Sequence, residues 1–339
     1  MNSFERVVAA LTHKIPDKVP VFLFFTVHGA RELGISLREY FSKAEYVADA
    51  QLKLVKKFGH DCVYPFFYAA KEAQAFGCSV VFYEDGPPNS GDPVIASYED
   101  IDDLDVPRPD SPVLEEPLKA IELVAEKVKG EIPIISAVIA PFSLPVMLMG
   151  FTKWIELLLF GDKNTRNKLL RKTKKFCVAW ANAQFKAGAD ALGYFDPLAT
   201  ADIITRDEFL RYDFRLTKDT IRKLKGPVAY AGAGGSFNSI IDLLPETGAA
   251  GIVVSSKDDL TDVKKKVGDR LVVMGNLNNI EMARWTVADA RKAVRECLGK
   301  GAQDGGFILS DQHGEIPYYV GDDVLAAIVE TVEKYGRYE

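Results

Sequence analysis

Short apolar runs recur along the chain, and most are separated by stretches in which apolar residues return every three or four positions. The runs are VPVFLFF (19–25), DCVYPFF (61–67), IPIISAV (132–138), ADALGYFD (189–196), PVAYAG (227–232), GIVVSS (251–256), LVVMGN (271–276) and GFILSD (306–311). Several are apolar almost throughout, as parallel strands are when one face packs inside a barrel and the other lies under helices. Between them, SKAEYVADAQLKLVKKFG (42–59) and TVADARKAVRECLGKG (286–301) carry helical spacing. The second opens on a threonine cap and closes on glycine, the expected punctuation. Strand and helix alternating eight times predict an α/β fold, a single (β/α)8 TIM barrel over residues 1–339. The proline- and acid-rich segment 84–112 is read as an excursion between the second and third strands, because neither side of it holds a complete barrel.

In such a barrel the chemistry lies at the C-terminal ends of the strands. Those ends carry Thr26 and His28; Phe66, Phe67, Tyr68 and Glu72; Phe142 and Ser143; Asp196; Tyr230; Ser255; Asn276 and Asn278; and Asp311, Gln312 and His313. His313 reads as a proton carrier, a metal ligand or a hydrogen-bonded strand-end residue. Glu72 is a candidate acid or a partner for Lys71 or Arg31. Asp196, before Pro197, is a candidate catalytic group or a turn former. Tyr230 can serve packing as well as chemistry, and Asn276 can fix its loop or contact ligand. The aromatic runs Phe22, Phe24, Phe25 and Tyr64, Phe66, Phe67, Tyr68 fill core in part, and the rest are expected to line the barrel mouth. An aromatic mouth with few cations suits a flat ligand of little charge. His13 and His60 precede strands and are expected to be structural.

Composition narrows the partners. The chain of 339 residues is 47% hydrophobic and 27% charged, with net charge −6 and pI about 5.5. No basic stripe is apparent, so nucleic acid is not expected. No apolar run reaches the roughly 18 residues of a spanning helix, so no membrane partner is expected. The amino terminus lacks a secretory pattern, and Cys62, Cys78, Cys177 and Cys297 are scattered without a CxxC, which suggests reduced thiols and a cytoplasmic protein. AGAGGSF (231–237) follows the fifth strand and lacks a convincing downstream acid, so it is not read as a dinucleotide loop.

The order FERVVAALTHKIPDKVPVF, KKFGHDCVYPFFYAAKEAQAFGCSV, APFSLPVMLMGF, DPLATADIITRDEF, IIDLLPETGA, VVMGNLNN and LSDQHGEIPYYVGDDVLAAI resembles the uroporphyrinogen decarboxylase superfamily over nearly the whole chain. That superfamily holds decarboxylases and cobalamin-dependent methyltransferases, and the resemblance implies one TIM barrel. The decarboxylase arginine motif after strand one is replaced by PVFLFFTVHGARELG, where only Arg31 is near, and Tyr68 stands at its aspartate position. A polyanionic porphyrinogen needs cationic partners. KEAQAFGCSV is closer to the methyltransferase branch, with Glu72 and Gly77 retained. The zinc ligands of that branch's coenzyme M enzymes align with Gly232, Gly234 and His313, so two are lost and one has changed type.

The resemblance therefore implies a corrinoid-dependent methyltransferase moving a methyl group from an aromatic methyl ether to Co(I) of a partner corrinoid protein. Cobalamin would be carried by that partner. Zinc would be held through His313 in a rebuilt ligand set. The expected catalytic residues are His313, Asp311, Glu72, Asp196 and Tyr230; the expected substrate contacts are His28, Phe25, Phe67, Tyr68, Phe142 and Asn276. A homodimer is expected by the same resemblance. Open alternatives are transfer from a methylcorrinoid to tetrahydrofolate or a thiol, decarboxylation of a smaller acid, and an inactive barrel serving as a binding subunit.

Overall fold

A computed structural model describes residues 1–338 of the chain. Its strands are β1 (Val21–Phe22), β2 (Val80–Val81), β3 (Asn89–Ser90), β4 (Ile135–Ile139), β5 (Ala191–Phe195), β6 (Val228–Ala231), β7 (Gly251–Val253), β8 (Val272–Leu277) and β9 (Phe307–Asp311). Seven of them form one curled parallel sheet in the order β1-β9-β8-β7-β6-β5-β4, while β2 and β3 make an antiparallel hairpin. Helices cover the outer face, as buried parallel sheets require.

The expected strand at 61–67 departs from the sequence reading. Val63 makes a single parallel bridge to Ile134. Its N–H donates to the Pro133 carbonyl at 2.9 Å, and on the other side the Asp61 N–H donates to Val21 at 2.7 Å. Pro65 then removes the next ladder donor, so the segment crosses the gap between β1 and β4 without forming a ladder. The eight-stranded cylinder expected from the sequence is present as seven paired strands and this one extended segment.

Local signals act as expected elsewhere. The helix Ala44–Phe58 stops at Gly59, whose φ of 72° is the left-handed cap. The helix Val287–Gly301 starts from Thr286 in a capping box with Asp289. At the N-terminal end of the sheet, the helix Ser3–Leu11 presses Val7 and Leu11 onto Phe22, Phe24 and Ile135 around a void of about 40 Å³. Arg6 on this helix bonds Asp61 at 2.5 Å and Asp17 at 2.7 and 2.8 Å. A second apolar cluster joins Val27, Tyr40, Phe41, Phe67 and Tyr68.

The excursion carries the hairpin β2–β3 and a short helix, Asp100–Asp103, that packs on the helix Lys163–Ala187. There Asp102 meets Lys168. The long helix bears Lys163, Arg166, Lys168, Arg171, Lys172, Lys174, Lys175 and Lys186 and no acid. Several of these are engaged, Lys168 with Asp102, Lys172 with the Asp102 and Leu104 carbonyls and Lys174 with Asp219. All four cysteines are buried and free. No described helix is long and apolar enough to cross a membrane.

Candidate active site

A cavity of about 380 Å³ opens at the C-terminal ends of β4 and β5, lined in part by Tyr64, Phe66, Ile139, Phe195, His313 and Glu315. Its floor continues the barrel interior as an aromatic column. Phe24 meets Tyr64 edge-on at 5.2 Å and Phe195 at 6.3 Å, and Tyr64 stacks on Phe66 at 5.3 Å. Phe151 and Ile203 form part of the rim, and Pro87, Pro88 and Asn89 of the excursion close one side. No lysine or arginine is among the lining residues.

The β9 loop delivers the polar groups. Asp311 accepts the N–H groups of His313 at 3.0 Å and Gly314 at 2.9 Å, and its other oxygen accepts from Phe24 at 3.3 Å. Gln312 accepts from the Ser256 N–H at 2.6 Å and donates to Asn278 at 3.1 Å. Gly314 has φ 93°, and a Cβ there would stand 2.5 Å from the Phe195 ring, so the loop can lie on that ring only as glycine. Asp311 is thus a buried clamp for the loop, with burial pushing its carboxyl up to about 6. It does not line the cavity, which corrects its expected catalytic role.

His313 lies open at the mouth, and desolvation by the cleft walls draws its imidazole below the ordinary value. Glu315, two residues on, was missed by the sequence reading although it stands in the quoted HGE. Its Oε1 is buried without a hydrogen-bond partner, and burial pushes its carboxyl up to about 8. Near neutrality Glu315 therefore holds its proton and can donate it.

The other expected residues lie behind the cavity wall. Glu72 neither caps a helix nor pairs with Lys71 or Arg31. Both its oxygens accept the N–H of Ile139, at 3.1 and 3.3 Å, and burial raises its pKa well above the ordinary carboxyl value. Asp196 accepts from Ser143 Oγ at 2.5 Å and Tyr230 Oη at 3.3 Å. Tyr230 also reaches Asp213 at 3.5 Å, and Asp213 accepts from Thr217 at 3.0 Å. Burial raises both carboxyls, Asp196 to about 7, with the charge of Asp196 adding to the rise at Asp213. Asp196 and Tyr230 reach the cavity only through Ser143, which lines it and also accepts from the Leu198 N–H at 3.0 Å. Glu72, Asp196 and His313 are thus not gathered around one opening.

The expected substrate contacts are mostly core. Phe25 packs against His28, Phe58 and His60 at 5.0 to 5.2 Å. His28 is fully buried with neither ring nitrogen bonded, and burial lowers it to about 3. Phe67 and Tyr68 turn away from the cavity into the second cluster. Phe142 packs on Trp154. Asn276 donates to the carbonyls of Ser255 at 2.9 Å and Asp258 at 3.0 Å and sits on a separate polar cleft. Each of these placements corrects the expected contact: Tyr64 and Phe66, two positions apart, share the inward face, while Phe67 and Tyr68 both pack into the second cluster.

The donor set does not fit zinc. Among the described residues no three His, Cys, Asp or Glu side chains cluster for a metal. A Cβ at Gly234 would lie 3.5 Å from the His313 ring, so the position faces the histidine but offers no donor. A Cβ at Gly232 would run into Phe237 and Thr200 at 2.8 Å, so that place is filled. A site with three protein ligands cannot be assembled here.

Comparison with known proteins agrees with the architecture. The uroporphyrinogen decarboxylase (URO-D) family profile matches residues 2–335. A uroporphyrinogen decarboxylase of Actinobacillus pleuropneumoniae is 24% identical, covering 98% of this chain and 97% of the relative. The methylcobamide:CoM methyltransferase MtbA of Methanosarcina mazei is 26% identical, covering 88% and 89%. A solved methyltransferase from Methanosarcina mazei superposes with a TM-score of 0.88 at 20% identity, covering 99% of both chains. The resemblance read from the sequence is met, and these relatives are enzymes.

Proposed function

The chain belongs to the uroporphyrinogen decarboxylase family, and on that premise we propose that it is a corrinoid-dependent methyltransferase acting on an aromatic methyl ether. We read residues 1–339 as one domain working as a (β/α)8 barrel, with segment 61–64 in place of the eighth strand. One observation carries the reading: an aromatic cavity without a cation holds a carboxyl, Glu315, that keeps its proton near neutral pH. A porphyrinogen with several carboxylates finds no arginine there, and an anionic thiol finds neither a cation nor a zinc site. These absences weigh against the decarboxylase and thiol alternatives.

In the proposed step, the bond between methyl carbon and aryl oxygen breaks and its electron pair stays on oxygen. A corrinoid carried by a separate protein supplies the electron pair that takes up the methyl group. Glu315 places its proton on the departing oxygen, so a neutral phenol leaves. His313, at the mouth, is positioned to restore that proton from solvent. Tyr64, Phe66 and Phe195 hold the ring and exclude water. The four buried free thiols suit the reducing cytoplasm in which a reduced corrinoid persists.

The test mixes the chain with a reduced corrinoid protein and methoxybenzene and follows the cobalt spectrum together with phenol release. One phenol per methylated cobalt is expected. Methylation of cobalt from other donors but from no methoxyarene would sink the ether assignment.

A further inference from the structure

We propose that this cavity selects methoxyarenes whose rings carry only uncharged substituents, such as hydroxyl or methoxy, and rejects rings bearing carboxylate or sulfonate. The inference rests on the methoxyarene reading and narrows it to a substrate class.

The geometry is the absence of any lysine or arginine that could pair with an anion. Polar side chains of the wall are Tyr64, Asn89, Ser143, His313 and Glu315. Ser143 spends its hydroxyl proton on Asp196. Arg31, Lys71 and Lys257 are engaged with other partners. Arg31 donates to the carbonyls of Tyr318 at 2.7 Å and Val320 at 2.9 Å and to Asp322 at 2.5 Å. Lys71 lies over the Phe67 and Tyr68 rings at 5.8 and 5.5 Å. Lys257 pairs with Asp202 at 2.7 Å. His313 is drawn toward its neutral form by the same walls, so it adds no fixed charge.

Glu315 acts as a built-in gauge of that environment. The wall that keeps this acid protonated up to about pH 8 disfavours any carboxylate placed beside it. A ring carboxylate must therefore leave water for a wall with no counter-charge, or take up a proton first. A ring hydroxyl faces no such cost, because it brings no charge out of water and Ser143, in the wall, retains an acceptor lone pair.

Binding is measured by calorimetry on the isolated chain at pH 7, with 2-methoxyphenol and 3-methoxybenzoate as probes. The phenol is expected to bind at least about a hundredfold more tightly, the penalty for a carboxylate beside Glu315 being discounted for solvent at the mouth. At pH 5 the gap should narrow, because the benzoate can enter as its neutral acid. Ile203→Arg, at a rim position 45% exposed and so tolerant of charge, should move the ratio toward the benzoate by about tenfold. Equal affinity for the two probes at pH 7, or binding of neither, overturns the proposal. Selective binding of the phenol without methyl transfer to any corrinoid protein upholds the selectivity and overturns the methyltransfer reading.

Discussion

The two ends of the sheet treat their carboxylates in opposite ways. At the N-terminal end, Asp61 and Asp17 close on Arg6, and Lys18 meets Glu333. The guanidinium holds the Asp17 carboxyl far below its ordinary range. At the C-terminal end, Glu72, Asp196, Asp213, Asp311 and Glu315 are buried or nearly so, and burial drives each of their pKa values upward. None of the five has a lysine or arginine as an ion-pair partner among the described residues. The first arrangement fixes structure, since charges with partners need no proton. The second keeps protons at neutral pH on its most strongly shifted members, Glu72, Asp213 and Glu315, which costs stability and is tolerated where chemistry uses them.

The largest expected effect comes from breaking the paired end. Arg6→Ala leaves Asp61 buried without its cation, and should cost about 3–5 kcal/mol in urea unfolding. A loss under about 1 kcal/mol would show that the N-terminal cluster is decorative. At the other end, Glu315→Gln should lower turnover at least about a hundredfold, a loss of about 2.7 kcal/mol in the barrier, while the fold persists. It should also change how stability depends on pH. The folded carboxyl titrates at about 8 and the unfolded one near 4.5, so the wild type loses stability as pH rises between those values. The glutamine variant lacks this loss, so its advantage in denaturant midpoint should grow from pH 5 to pH 8. A constant difference would mean that Glu315 is ionised in the fold.

Smaller effects test the lattice behind the wall. Asp213→Ala leaves Thr217 without its carboxylate acceptor and Tyr230 with Asp196 alone, and should cost about 1–3 kcal/mol, with Asp213→Asn recovering most of it. If alanine and asparagine cost the same, the Asp213 contacts do not matter. Smallest of all, Tyr68→Phe should leave affinity for 2-methoxyphenol within about twofold, because its hydroxyl only reaches Gln74 at 3.3 Å. A tenfold change in that affinity would return Tyr68 to the site.

Seven of the eight strands were legible because continuous apolar runs have few other uses in an α/β chain. The eighth was misjudged at Pro65, where composition still looks strand-like but a ladder donor is missing. The Asp311–His313 cluster was legible as a strand end, and Phe66 and Ser143 fell on the strand-end list. What sequence could not tell is which way each strand-end side chain turns. Tyr64 and Phe66 share the inward face, whereas Phe67 and Tyr68, immediately following, do not. Glu315 lies four residues past the end of β9, and it joins the cavity wall after the turn at Gly314, which lies on the Phe195 ring. Asp213 sits in the helical segment Phe209–Asp213, far from any strand end, and only its approach to Tyr230 reveals it.

The glycines of the loop after β6 set a limit on what this scaffold can become. Position 234 faces the histidine across a gap of ordinary van der Waals width, yet position 232 is hemmed in by Phe237 and Thr200. A lineage descending from this chain could place a thiol next to His313 only by straining residue 234, whose φ of 84° suits glycine. It could not complete a metal-binding trio without also vacating the neighbouring aromatic ring. The loop behaves as a ratchet, easy to enter by loss and closed to stepwise return.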